Sequence, residues 1–311
     1  MAEILQEDAL KKTNFHKIIR DPEALAKIEP NISLVTKLTS LSKLIPDETK
    51  ETARQLVQQV VDDLKEKLDY PLTQALAGSL DRATKTNRAK KLEEINWHKT
   101  IQANLKHYQK SQNTIIPERI IAHGRKRSSL HDIILCLDQS GSMSESVVYA
   151  SIFASVLASL PAVDTKLIIF DTNVVDMTDE LVSPVDLLFG LRLRGGTNIE
   201  RAISYVQDKV TKPRDTVLVL ISDLFEGSGN KKQLVRRLAE LKENGVTVVI
   251  LFALSDKGAP KFNRPLAQEL VNIGIASFAC TPDLFPELMA VALRGDDISA
   301  WAAANGIITV F

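Results

Sequence analysis

The sequence predicts an α/β protein, a doubly wound and mostly parallel sheet preceded by an all-helical N-terminal domain. Three observations carry this. Beyond Asp132, short apolar runs alternate with amphipathic helical patterns, the rhythm of strand–helix–strand units. The runs Ile133–Leu137 and Thr216–Ile221 are apolar almost throughout, as strands covered on both faces must be. Before Lys110 the pattern is helical instead, with Leu56, Val60, Val61, Leu64 and Leu68 spaced by one turn.

Taken in order, those five residues mark one amphipathic helix after Asp47. Pro22, Pro30, Pro46 and Pro71 are expected where one helix stops and the next starts, which gives four to six helices over residues 1–110. Residues 111–130 read as a basic linker ending in Gly124-Arg125-Lys126-Arg127-Ser128-Ser129. In the α/β domain, 131–295, strands are expected at 133–137, 166–170, 216–221, 246–254 and 275–280, with a short one at 174–177. Helices are expected at 144–160, 198–210, 230–244, 262–272 and 283–293. Residues 296–311 form a tail whose apolar end, Ile307 to Phe311, is expected to pack on the body.

Composition narrows the class. With 44% hydrophobic and 25% charged residues, the chain of 311 reads as a soluble globular protein. Its longest apolar run, Val246 to Leu254, is too short to span a bilayer. The acidic start lacks the apolar segment of a signal peptide, so a cytoplasmic location is expected. Cys136 and Cys280 fall inside strands and read as small core residues, not as a disulfide. The net charge of zero divides unevenly, +6 over residues 1–130 and −6 over 131–311, which suggests different partners for the two parts.

The residues that carry chemistry cluster at strand ends. Asp138-Gln139-Ser140-Gly141-Ser142 directly follows the first strand and brings a carboxylate and two hydroxyls to the carboxyl edge of the sheet, where ligands bind in such folds. Such a string also serves simply to cap the next helix. Gly195-Gly196-Thr197-Asn198 adds a hydroxyl at a loop-to-helix junction, and Ser222-Asp223 ends the second buried strand. Oxygen ligands of this kind suit magnesium or manganese better than zinc or copper. Glu226 and Asp171 are further carboxylates expected at the same edge, read either as loop surface charges or as groups filling an open metal position. Arg294-Gly295-Asp296 reads as a helix end.

Together these loops resemble the von Willebrand factor type A (VWA) family and its metal-ion-dependent adhesion site. The resemblance implies a divalent ion, Mg2+ or Mn2+, on Asp138, Ser140, Ser142, Thr197 and Asp223, with a partner's carboxylate completing its shell. No catalytic role is expected. His16, His98, His107, His123 and His131 all precede the body of the α/β domain, so nucleophilic catalysis at that edge lacks a base, and there is no P-loop. Trp97–Leu105, Ile116-Pro117-Glu118-Arg119 and Thr281-Pro282-Asp283-Leu284-Phe285 look like bacterial CoxE-like VWA proteins. Such proteins work beside MoxR-type AAA+ ATPases, which implies an adaptor or co-chaperone that presents a metal-gated docking site. The alternative is RNA binding. A helical domain joined to a VWA domain is similar to the Ro autoantigen, and residues 82–127 hold 12 Lys and Arg that would make RNA binding salt-dependent.

Overall fold

The computed structural model describes residues 15, 18–79, 85–86, 97–109, 114–115, 117, 122–123, 131–160, 163–191, 196–227, 230–254 and 261–307. Residues Met1–Ala75 and Leu130–Phe311 form one compact unit, and Leu76–Ser129 another.

The first unit is built on six strands: β1 (His131–Asp138), β2 (Val163–Phe170), β3 (Val174–Asp176), β4 (Thr216–Ile221), β5 (Thr247–Leu254) and β6 (Ala276–Cys280). Their order is β6-β5-β4-β1-β2-β3, and every neighbouring pair is parallel except β2 with β3. The central strands β1 and β4 are buried along nearly their whole length, which explains their unbroken apolar runs. β2 begins at Val163, earlier than the expected 166, because Asp164 and Lys166 alternate with buried Val163 and Thr165 and mask the strand's start.

The helices, in chain order, are α1 (Pro22–Ala26), α2 (Ile32–Ser40), α3 (Asp47–Ser79), α4 (Trp97–Ala103), α5 (Ser144–Ser159), α6 (Pro184–Gly190), α7 (Ile199–Lys209), α8 (Lys231–Glu243), α9 (Arg264–Asn272), α10 (Phe285–Arg294) and α11 (Ile298–Ala304). Ile134, Cys136, Leu218, Leu220 and Ile250 join Ile203, Leu234, Leu238 and Leu270 of α7, α8 and α9 in one core. By strand alternation Ile133, Leu135 and Leu137 point to the other face, against which α5 packs. There Phe153 of α5 meets Phe285 of α10, ring centroids 4.4 Å apart.

Two features differ from expectation. In sequence Val147, Val148, Ile152, Phe153, Val156, Leu157 and Leu160 read as one apolar stripe, but α5 is buried on all sides from Ser146 through Leu157, because α2 covers the helix face turned away from the sheet. Gly141–Ser159 is long and apolar enough to cross a membrane by length and composition, and it is 72% buried as the core helix of this sheet. Pro71 does not end a helix; α3 runs through it. A helix interior Pro loses one i→i−4 bond, and the buried Leu68 and Leu72 on either side hold the helix together across it. Pro22, by contrast, opens α1 behind the Asp21 cap, as expected. Cys136 and Cys280 are buried free thiols, and burial pushes the Cys280 thiol up to about 12.

The N-terminal helices belong to the same unit as the sheet. α2 lies on α5, and Arg54 of α3 donates to Asp186 of α6 at 2.7 Å while its guanidinium lies 5.6 Å from the Phe189 ring. Trp301 of α11 sits 6.2 Å from Phe278 of β6. Residues 308–311 of the apolar end lie outside the described residues.

The second unit holds α4, a turn of 3-10 helix at Leu105–His107, and two short antiparallel pairings. These join Lys85–Thr86 with Ala122–His123 and Tyr108–Gln109 with Thr114–Ile115. The basic run 124–129 lies outside the described residues.

Candidate metal centre

From β1 the sheet is extended one way by β2 and β3 and the other way by β4, β5 and β6, so the winding reverses between β1 and β4. Loops leaving the carboxyl ends on either side of such a point diverge and leave a crevice. Asp138 ends β1, and Ser222 and Asp223 follow β4. Leu137 pairs with Ile221 in register, which sets Asp138 beside Ser222.

Ser222 Oγ donates to Asp138 Oδ2 at 2.7 Å, and the Ser140 backbone N–H donates to Asp138 Oδ1 at 2.8 Å. Ser222 Oγ also accepts the Leu224 N–H at 3.1 Å. Ser142 Oγ donates to Asp223 Oδ2 at 2.6 Å and lies 3.2 Å from Ser140 Oγ. Since the one hydroxyl proton of Ser142 goes to Asp223, Ser140 is the donor in the Ser140–Ser142 bond. Asp138, Ser140, Ser142 and Asp223 therefore form one continuous hydrogen-bonded chain. Thr197 is tied to it through backbone: its carbonyl accepts the Gly227 N–H at 3.0 Å, so the loop after Asp223 is stitched to the start of α7. A Cβ on Gly227 would lie 3.1 Å from the Thr197 carbonyl oxygen, so glycine permits the approach. Gly195 lies outside the described residues.

Leu224 has φ +62°, the left-handed region that a branched side chain rarely enters. The turn buries Leu224 completely and leaves the next residue, Phe225, 50% exposed beside the site. A left-handed residue of this kind costs roughly 1–2 kcal/mol, which the burial of Leu224 offsets. Glu226 accepts the N–H groups of Ile199 and Glu200 at 2.9 and 3.3 Å, a carboxylate at the start of α7 where the helix dipole favours it. Asp171 accepts the Asn173 N–H at 2.6 Å, closing the β2–β3 turn.

The family described as VWA domain containing CoxE-like protein matches residues 68–289. The protein YehP of Escherichia coli (strain K12), itself described as uncharacterized, is 32% identical over 305 residues, 97% of this chain and 77% of YehP. The chain belongs to the CoxE-like VWA family. Among solved structures, an aerotolerance-related membrane protein from Bacteroides fragilis aligns at 16% identity, over 54% of this chain and 98% of that one, with a TM-score of 0.41. A von Willebrand factor type A protein from Catenulispora acidiphila aligns at 12% identity, over 53% and 43%, also at 0.41.

In this CoxE-like chain the electrostatics of the crevice turn on Asp138. Burial, above all, and the nearby Asp223 charge raise its pKa to about 6, against the opposing hydrogen bonds from Ser222 and Ser140. Both carboxylates are buried, and neither pairs with Lys or Arg among the described residues. No group of three or more His, Cys, Asp or Glu suited to a metal occurs among the described residues. The donors at this edge are instead two carboxylates supplemented by neutral hydroxyls. An all-oxygen set with two uncompensated buried charges fits a hard divalent cation and suits soft metals poorly. In the sequence Ser222 reads only as a strand end. Its role as the hydrogen-bond donor that fixes Asp138 follows from the β1–β4 register, which the sequence does not state.

Proposed function

We propose that this protein is a metal-dependent protein–protein interaction module, an adaptor or co-chaperone that acts with a MoxR-type AAA+ ATPase and docks a partner's Asp or Glu on a divalent cation. Asp138, Ser140, Ser142, Thr197 and Asp223 would hold the ion, Mg2+ or Mn2+. When bound, the ion supplies a Lewis-acidic position that takes an oxygen ligand from outside the chain. The protein's own groups do the rest. Ser222 and the Ser140 amide hold the Asp138 carboxylate in one orientation, Asp223 fixes the Ser142 hydroxyl, and the Gly227–Thr197 bond keeps the third loop against the other two.

The observation that supports this reading is the pair of buried carboxylates linked through serine hydroxyls, with no cationic side chain among the described residues to neutralise them. Calorimetric titration of Mg2+ and Mn2+ into wild type and Asp138→Ala tests the ion. Binding of the purified cognate MoxR-type ATPase, with Mg2+ or with EDTA, tests the partner. The expected result is saturable metal binding by wild type alone and ATPase binding only with both Mg2+ and Asp138. Equal ATPase binding in EDTA and by Asp138→Ala would overturn the proposal.

A further inference from the structure

Beside the metal crevice lies a second feature, a cavity of about 320 Å3 lined by Gln139, Ile169, Asp171, Val175, Met177 and Gly190. Ile169 and Val175 are direct partners across the β2–β3 pair, so Asp171 and Met177, two residues further along each strand, share their face. Ile169 and Met177 are buried and Val175 is half exposed, which makes an apolar floor with an open mouth. Gly190, at the end of α6, leaves the far wall without a side chain. A Cβ there would meet only Met177 Cε, at 3.7 Å.

Gln139 occupies the position between Asp138 and Ser140. The residue is 5% exposed, and its buried Nε2 has no hydrogen-bond partner among the described residues. A buried amide donor left without an acceptor costs on the order of 1–3 kcal/mol. Its backbone is fixed, since the Gln139 N–H donates to the Phe170 carbonyl at 2.8 Å. Asp171, at the same cavity, uses Oδ1 to accept the Asn173 N–H and has further lone pairs on Oδ2. The Asp171 carbonyl accepts the Asn198 N–H at 2.8 Å, so the cavity wall is bonded to the residue next to Thr197.

A buried donor and a carboxylate at the mouth of an apolar cavity match a peptide unit and the aliphatic side chain attached to it. Resting on the docking role proposed above, we infer that this cavity is a specificity pocket for the partner. It takes a Leu, Ile or Met flanking the acidic residue that reaches the metal, with Gln139 Nε2 donating to that segment's backbone carbonyl. The partner's recognition element is then an acidic residue next to an aliphatic one, not an isolated carboxylate.

A random peptide library selected on the immobilised protein in Mg2+ and eluted with EDTA is the test. Eluted sequences should carry Asp or Glu adjacent to Leu, Ile or Met. One such peptide, synthesised, should bind Gly190→Leu, which fills the cavity, about ten- to a hundredfold more weakly than wild type, the worth of one buried aliphatic side chain, and Gln139→Ala about two- to tenfold more weakly, the worth of one hydrogen bond. Gly190→Ala should bind like wild type, and Mg2+ titration of all three variants should be unchanged, which shows that the fold and the metal centre are intact. EDTA-eluted peptides with an acid and no aliphatic preference, or full affinity in Gly190→Leu, would overturn the pocket and leave the metal reading standing. An aliphatic preference that survives EDTA would keep the pocket and overturn the metal reading on which its acidic neighbour depends.

Discussion

Replacing Asp138 with asparagine removes a charge that the fold, on its own, has difficulty holding. In the folded protein the Asp138 carboxyl titrates near 6, against 3.8 as its ordinary value. Between these values the native state holds a proton that the unfolded chain has released, so stability falls as pH rises through the window and the deficit is complete above about pH 6. A rise from 3.8 to about 6 corresponds to about 3 kcal/mol, with no discount for screening because the group is buried. The asparagine side chain keeps nearly the same shape and never ionises. Whatever its amide gains or loses against Ser222 and the Ser140 N–H does not depend on pH in this range, so it cancels when the variant is compared with wild type at two pH values. Urea unfolding in EDTA should therefore show the stability of Asp138→Asn relative to wild type rising by about 2 kcal/mol between about pH 4 and pH 7.5, the remainder of the roughly 3 kcal/mol having developed below pH 4. With Mg2+ added at about pH 7.5 the wild type should recover stability with increasing ion concentration, and the variant should not. A stability difference that stays flat across pH would refute the argument, because it would mean that Asp138 carries no destabilising charge in the native state.

Three other substitutions probe the supports of the same crevice. Ser222→Ala removes a buried hydroxyl that serves both Asp138 and the Leu224 N–H; it should cost about 1–3 kcal/mol by chemical unfolding and move the Asp138 transition to higher pH, since the lost bond favoured the charged form. Gly196→Ala places a Cβ 2.7 Å from Thr172 Cγ2 at φ +103°, so a loss of roughly 1–3 kcal/mol is expected, and Thr172→Ser should restore only part of it because the backbone strain remains. Glu226→Gln should cost about 0.3–1 kcal/mol through the start of α7 while leaving Mg2+ affinity unchanged; tighter metal-dependent peptide binding by this variant would instead mean that Glu226 competes for the ion.

How far the sequence can be read follows from the range of each interaction. β1, β4 and β5 are legible because both faces are buried, and a strand covered on both sides can only be written in apolar residues. α6 is not, because seven residues leave no room for periodicity. Its signal lies in the cap, where Ser183 precedes Pro184 and accepts the Asp186 N–H. Pro71 misleads because its disruption is local, whereas the packing that carries α3 through it is tertiary. At the site, Asp138, Ser140, Ser142 and Asp223 stand out as polar residues ending apolar strands, and the structure gathers these four into one hydrogen-bonded chain. What the sequence does not supply is the register. Ser222 reaches Asp138 only because β1 and β4 align Leu137 with Ile221, and a slip of one residue would send its hydroxyl to the other face of the sheet. Gln139 is subject to the same logic. As the residue between Asp138 and Ser140 it reads as a spacer, but alternation points it away from both, toward the β2–β3 edge where Asp171 and Met177 wait. The two sides of one short loop thus face two different chemistries, carboxylate and hydroxyl oxygens on one and an apolar cavity with a buried donor on the other. On the proposed docking role, a partner that meets this loop would meet both at once, and the cavity beside Gln139 and Asp171 would set its selectivity.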